Sequence, residues 1–168
     1  MPTGLKQTSS AVAIGFSVDE PAANTFAQSQ VDLNLSPLDR EVFVVLAINL
    51  DPFTPECILG TDTKVESSLT TTSQTAVANL SNSNCLAASG NFIKSSAGSS
   101  VGFQSLGAET PPSTLDYIGI IATNDFFIQV KGTGNVGARG MDGKLYGYRA
   151  RASADIYAAL VQSEVLSA

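Results

Sequence analysis

The chain reads as an all-β protein: a single jelly roll, or antiparallel β-sandwich, of about eight strands with a short C-terminal helix. Three observations point there. β-branched and aromatic residues gather in short runs. Gly, Pro, Asn, Asp and Ser gather between those runs. The runs recur at short spacing along all 168 residues, the pattern of a sandwich, jelly roll or barrel.

Residues 1–10 are polar and read as an extended N-terminal tail, with residues 11–168 as a single domain. Residues 11–18 alternate weakly and give a first strand. In residues 31–35, Val31, Leu33 and Leu35 share one face, and Ser36 with Pro37 ends the segment. Residues 41–50 are the most apolar. Their β-branched and aromatic content, with no polar helical face, favours a central strand buried on both sides over a helix. Asp51 and Pro52 stop it. Residues 63–72 set Val65, Ser67 and Leu69 opposite Lys64, Glu66 and Ser68, and residues 74–80 follow as a further segment. Residues 79–113 are least regular. Their Ser, Asn, Gly and Ala content, with Pro111 and Pro112, predicts long surface excursions around short strands near Phe92 and Phe103.

Residues 117–151 organise the rest. Three short runs, 117–121, 126–131 and 144–151, read as paired strands with turns between them. In the third, Leu145, Gly147, Arg149 and Arg151 face one way and Tyr146, Tyr148 and Ala150 the other. Residues 153–166 change period: Ile156 and Leu160, with Tyr157, Val161 and Val165, recur at helical spacing. Ser153 stands at the cap and Asp155 in the first turn. A final strand is the alternative.

Only 14% of residues are charged and mean hydropathy is +0.15, against a typical charged share of about 25%. The surface is therefore expected to be small and neutral, suited to close contact with copies of itself. A net charge of −6, with Lys6 the lone cation in the first ten residues, disfavours direct nucleic-acid binding. No apolar run approaches the ~18 residues that span a bilayer. The N-terminus lacks a basic region and apolar block, so no signal peptide is expected, and Met1 speaks against a cleaved one.

The chain has two cysteines and no histidine, which removes the commonest general base and transition-metal ligand. Cys57 and Cys85 are expected as free thiols, with a disulfide as the alternative, and they form no zinc-ligand pattern. Gly132, Gly134 and Gly137 match G-x-G-x-x-G. More glycine follows, and then a strand, where a dinucleotide site needs a helix. The segment therefore reads as a flexible hairpin loop with positive φ at several glycines. Asp51, Glu56 and Asp62, and separately Asp116, Asp125 and Asp142, read as turn formers, with a Ca²⁺ site built from separate loops as the alternative. Asn34-Leu35-Ser36 and Asn79-Leu80-Ser81 match the glycosylation acceptor, and both read as chance matches. No nucleophile motif is present, and neither a catalytic site nor a cofactor is expected.

The sharpest signal is charge. Lys131, Arg139, Lys144, Arg149 and Arg151 lie in the last two strand segments with Asp142 as the lone acid, while the rest of the chain is acidic. These five residues are candidates for contact with a neighbouring subunit or an anionic partner, with an ordinary solvated face as the alternative.

With its short strands, weakly charged surface and Ser/Gly/Asn loops, the chain resembles the small single jelly-roll capsid proteins of tailless icosahedral viruses. Residues 125–131 and 144–151 would be the late strands of the roll. The resemblance implies a virion shell subunit whose partners are copies of itself and other capsid proteins. It departs from many simple RNA-virus coats in lacking a basic N-terminal arm, so a shell over a membrane or over other proteins fits better than one bound to the genome. Two other classes remain. A β-sandwich module for carbohydrate or a cell surface would need Tyr146 and Tyr148 exposed together. A secreted, extracellular filament or surface-layer subunit would donate a terminal segment, residues 1–18.

Overall fold

The computed structural model describes residues 2–105, 108–109 and 113–166. It contains eleven strands and one helix in two antiparallel sheets packed face to face. The first sheet holds β1 (Leu5–Gln7), β2 (Val12–Asp19), β4 (Glu41–Pro52), β8 (Ala108–Glu109), β9 (Gly119–Ile121) and β11 (Gly140–Ala152). The second runs in the order β3 (Ala27–Asp32), β10 (Asp125–Thr133), β5 (Thr63–Thr70), β6 (Cys85–Ser96), β7 (Ser99–Ser105).

The pairings nest. β5 pairs with β6, β4 with β9, β3 with β10, and β2 with β11. The chain is thus one long antiparallel ribbon folded over at β5 and β6, and successive rungs alternate between the two sheets. Contacts of β11 with β4 and of β10 with β5 close the winding. Eight strands wound this way make a jelly roll. The connection from β10 to β11 accordingly crosses from one sheet to the other and is not a hairpin.

β4 shows how packing sets the sequence pattern. Phe43, Val45, Ile48 and Leu50 all point into the sandwich, although their numbers change from odd to even. Tyr146 pairs with Ala47 and Gly147 with Val45, so Leu46 is an extra residue in a β-bulge that switches the phase. Gly147 has no room for a side chain: a Cβ there would sit 2.4 Å from the Phe43 ring and 2.2 Å from the Val44 carbonyl oxygen. On the outer face, Val42 and Val44 are buried with Leu5, Tyr148, Ala150 and Ala152. The helix α1 (Ala154–Leu166) covers this patch with Ile156, Tyr157, Leu160 and Val161. The far half of β4 has no such cover, and there Asn49 and Asp51 are exposed between buried Ile48, Leu50 and Pro52.

Glu164 staples the helix to the roll. Its buried carboxylate accepts the N–H groups of Ala122, at 2.7 Å, and Thr123, at 3.0 Å, in the turn before β10. Burial pushes its carboxyl above the usual range, opposed by those two N–H donors.

Several segments differ from the sequence expectation. Residues 1–10 hold β1, whose Leu5 pairs with Ala152 and is buried, so this stretch is partly woven into the first sheet. Residues 85–105 form a long hairpin of twelve and seven residues, not excursions around short strands. Pairing with β5 overrides the weak strand preference of their Ser, Ala and Gly content. Pro111 and Pro112 lie outside the described residues. Residues 74–80 form no strand. They lie over the second sheet, where the Gln74 N–H meets Gln28 and the Ala78 N–H meets Ser68. Beneath them Gln129 is fully buried, accepting from the Ser68 hydroxyl at 2.6 Å and donating to Gln28 and Thr70. β3 begins earlier than expected and ends at Asp32. Leu33 and Leu35 still point inward, flanking Asn34 at φ 53°.

Candidate contact surface

At one end of the roll three loops are bonded into a single platform. They are residues 20–26, between β2 and β3, residues 53–62, between β4 and β5, and residues 134–139, between β10 and β11. Asn135 is the hub. Its backbone N–H and C=O form a reciprocal pair with the Asn24 amide at 2.9 and 2.8 Å. Its own amide oxygen accepts the Glu56 N–H at 3.0 Å, and its amide nitrogen donates to the Lys64 carbonyl at 3.1 Å. The Glu56 carboxylate in turn accepts the N–H groups of Val136 and Gly137, both at 2.9 Å, and pairs with the Arg139 guanidinium. Those three donors, Arg139 foremost, hold the Glu56 carboxyl below its ordinary range. Buried Glu20 completes the set by accepting the N–H groups of Gly132 and Arg139.

The glycine-rich segment is therefore pinned, not flexible. Of its glycines only Gly134 has positive φ, at 75°, and a Cβ on it would meet the Asp62 carbonyl oxygen at 2.6 Å. Every loop-end N–H named here has a partner. Yet the same loops hold apolar side chains in solvent: Leu59 is 73% exposed and Val136 79%, and Phe53, in the same loop as Leu59, is exposed too.

The five basic residues do not gather into one face. Arg139 serves the platform through Glu56. Arg149 turns to the lip of the sandwich, donating to the carbonyls of Leu33 and Asn34 and pairing with Glu41. Arg151 pairs with Asp39 at 3.4 Å. Lys131 projects from the second sheet and Lys144 from the outer face of the first. Both are exposed, and neither forms an ion pair among the described residues. Sequence proximity missed this because Lys131 alone lies on the second sheet, alternate side chains of β11 point to opposite faces, and Arg139, Arg149 and Arg151 are drawn to acids from other parts of the chain. The platform carboxylates were equally invisible, since Glu20, Glu56 and Asn135 are joined only by the winding.

Two of the carboxylates weighed for a cation, Glu56 and Asp62, are engaged elsewhere. Glu56 holds Arg139, and Asp62 takes Lys94 and the Ser95 N–H, which keeps its carboxyl below the usual range. Among the described residues no group of three His, Cys, Asp or Glu could hold a metal ion. Cys57 and Cys85 form no disulfide with one another: Cys57 is exposed, and the Cys85 thiol donates to the Ala87 carbonyl. Tyr148 is buried under α1 while Tyr146 is exposed, so the two do not form a joint aromatic platform. Residues 5–7 and 12–19 pair with β11 of their own chain. No helix among the described residues is long and apolar enough to cross a membrane.

No protein-family model matches the chain, and no curated protein matches it. Among solved structures the chain is similar to one of Desmodium yellow mottle tymovirus, at 11% identity over 92% of this chain and 95% of that one, with a TM-score of 0.27. It is similar to empty-head turnip yellow mosaic virus at 10% identity, covering 88% and 85% of the two chains, with a TM-score of 0.28. A third is the tailspike protein gp49 of the Acinetobacter baumannii bacteriophage Fri1, a capsular polysaccharide depolymerase. Identity there is 12%, coverage 72% of this chain and 20% of that one, and the TM-score 0.15. The fold assignment rests on strand order and winding.

Proposed function

We propose that this chain is the repeating subunit of a self-assembling protein shell, a viral capsid subunit located in the virion. The observation that carries the reading is the platform: exposed Leu59 and Val136 stand on loops locked by Glu20, Glu56, Asn135 and Arg139. Ordering surface loops costs conformational entropy, and locking them in advance lowers the cost of docking a neighbour. Copies of the chain are the proposed partners, with other shell proteins beside them. Of the five basic residues, Lys131 and Lys144 are proposed to meet acidic surface on a neighbour, because Arg139, Arg149 and Arg151 already serve internal partners.

Purified protein is expected to form uniform multimers or particles in light scattering and negative-stain microscopy. Leu59→Ser with Val136→Ser is expected to shift it towards smaller species with an unchanged circular dichroism spectrum. A strictly monomeric wild type across protein and salt concentration would overturn the proposal.

A further inference from the structure

The four sheet edges are not alike. On the first sheet, the edge made by β1 and β2 is interrupted between Gln7 and Val12, where the Thr8 N–H and the Ser9 hydroxyl bond to Arg149. The opposite edge is made, among the described residues, of pieces of two and three residues. On the second sheet, β3 ends at Asp32, and its Gln28 and Gln30 are tied into side-chain bonds. Short pieces, breaks and charges are the usual protections of an open edge. β7 has none of them. Its seven residues, Ser99-Ser-Val-Gly-Phe-Gln-Ser105, include no charge and no proline. All seven are exposed, and among the described residues nothing pairs with its far side.

The character of β7 is also matched about its centre, polar with polar and apolar with apolar. If a second β7 runs antiparallel to it with the two Gly102 residues opposed, Ser99 of one copy faces Ser105 of the other. Ser100 faces Gln104, and Val101 faces Phe103. Val101 and Phe103 lie on one face of the strand, paired to Lys94 and Phe92 of β6, and are 62% and 51% exposed. Phe92 and Phe103 already stack, with centroids 5.2 Å apart and planes at 14°. Aromatic with β-branched is a favourable cross-strand pair, so this register would extend the stack from each copy onto the valine of the other. A self-complementary strand meeting itself is what a two-fold contact requires.

We propose that two copies of this chain join β7 to β7 across a two-fold axis through Gly102, fusing their second sheets into one continuous ten-stranded sheet. The proposal rests on the assembly reading above and names one of its contacts. The unpaired backbone groups of β7 supply the bonds, and Val101 and Phe103 fix the register.

Gly102 supplies a direct test. A Cβ there meets nothing closer than the Phe92 carbonyl oxygen at 3.8 Å, so a side chain fits. Residues directly opposed in an antiparallel pair have Cα atoms about 4.5–5.5 Å apart, within disulfide range. Gly102→Cys in a Cys57→Ser background is compared with Leu38→Cys in the same background, since Leu38 is 95% exposed and reports random collision. The paired register predicts intermolecular disulfide formation by Gly102→Cys at least about tenfold faster than by Leu38→Cys, because the contact raises the local thiol concentration. In parallel, Val101→Lys with Phe103→Lys sets like charges opposite one another and is expected to shrink the assembled species, with secondary structure retained. If the wild type assembles but Gly102→Cys links no faster than the control and the double lysine variant assembles normally, the β7 contact is overturned and the assembly reading stands. If the wild type stays monomeric and no link forms, both fall.

Discussion

Replacing Asn135 with alanine separates folding of the roll from order of its loop end. The side chain is 5% exposed and bonds the Glu56 N–H at 3.0 Å and the Lys64 carbonyl at 3.1 Å. Alanine leaves the first without its acceptor, which costs about 1–3 kcal/mol, and removes the second bond, worth about 1 kcal/mol net. The Asn24 amide still holds the residue 135 backbone, so the loop is loosened and not cut free. The expected destabilisation is about 2–4 kcal/mol by urea denaturation, with an unchanged m-value. Hydrogen exchange should rise first at the N–H groups of residues 56, 136 and 137, and assembly should weaken although no exposed apolar side chain has changed. A stability within about 0.5 kcal/mol of wild type, the spread of a neutral surface substitution, would refute the account of Asn135 as the hub. Full assembly with exchange raised at those three positions would instead refute the platform as the contact surface, because its order would then be irrelevant to contact.

Three further outcomes test the interior. Gly147→Ala drives a Cβ against the Phe43 ring and the Val44 carbonyl, and is expected to destabilise by about 1–3 kcal/mol in thermal or urea unfolding. Gln129→Leu strips buried bonds to Ser68, Thr70 and Gln28, and is expected to cost about 1–3 kcal/mol and expose residues 74–80 to limited proteolysis. Glu164→Gln tests the helix staple through pH. Burial raises the folded carboxyl, so the folded state holds its proton more tightly than the unfolded chain. The favourable contribution is complete below the unfolded pKa and is lost as pH rises through the folded one. The stability of the wild type relative to the Glu164→Gln variant should therefore slope downwards above the ordinary glutamate range and be flat in acid.

The architecture was legible where burial writes a period. Strand β4, with its phase change hidden, still stood out through β-branched and aromatic content, as did β10, β11 and α1. The hairpin of β6 and β7 was not legible, because its small residues have little strand preference of their own and are held by pairing with β5. The bulge at Leu46 was not legible either, since an extra residue appears only against a partner strand. The contact surface was nearly silent. Glu20, Asn24, Glu56 and Asn135 span the chain and meet only because the roll returns the three loops to one end. The basic cluster misled for the mirror-image reason: neighbours in sequence were separated by strand alternation, by the sheet change at Lys131 and by acids brought from elsewhere in the chain.

The same redistribution of charge decides how the subunits must meet. Among the described residues, five of the nine basic residues, Lys64, Lys94, Arg139, Arg149 and Arg151, are paired within the chain. Each copy still carries a net charge of −6, so two copies approaching one another repel. Contacts between them must then come chiefly from Leu59, Val136, the β7 edge and similar neutral surface, with Lys131 and Lys144 contributing the smaller share. Added salt screens the repulsion without weakening apolar or backbone contacts, the Debye length falling from about 10 Å at 0.1 M to about 3 Å at 1 M. Assembly is therefore expected to strengthen as salt is raised over that range, read as particle fraction by light scattering. Association through opposed basic and acidic faces, or onto nucleic acid, runs the other way. A steady loss of particles with rising salt would show that charge, and not the neutral surface, holds the copies together.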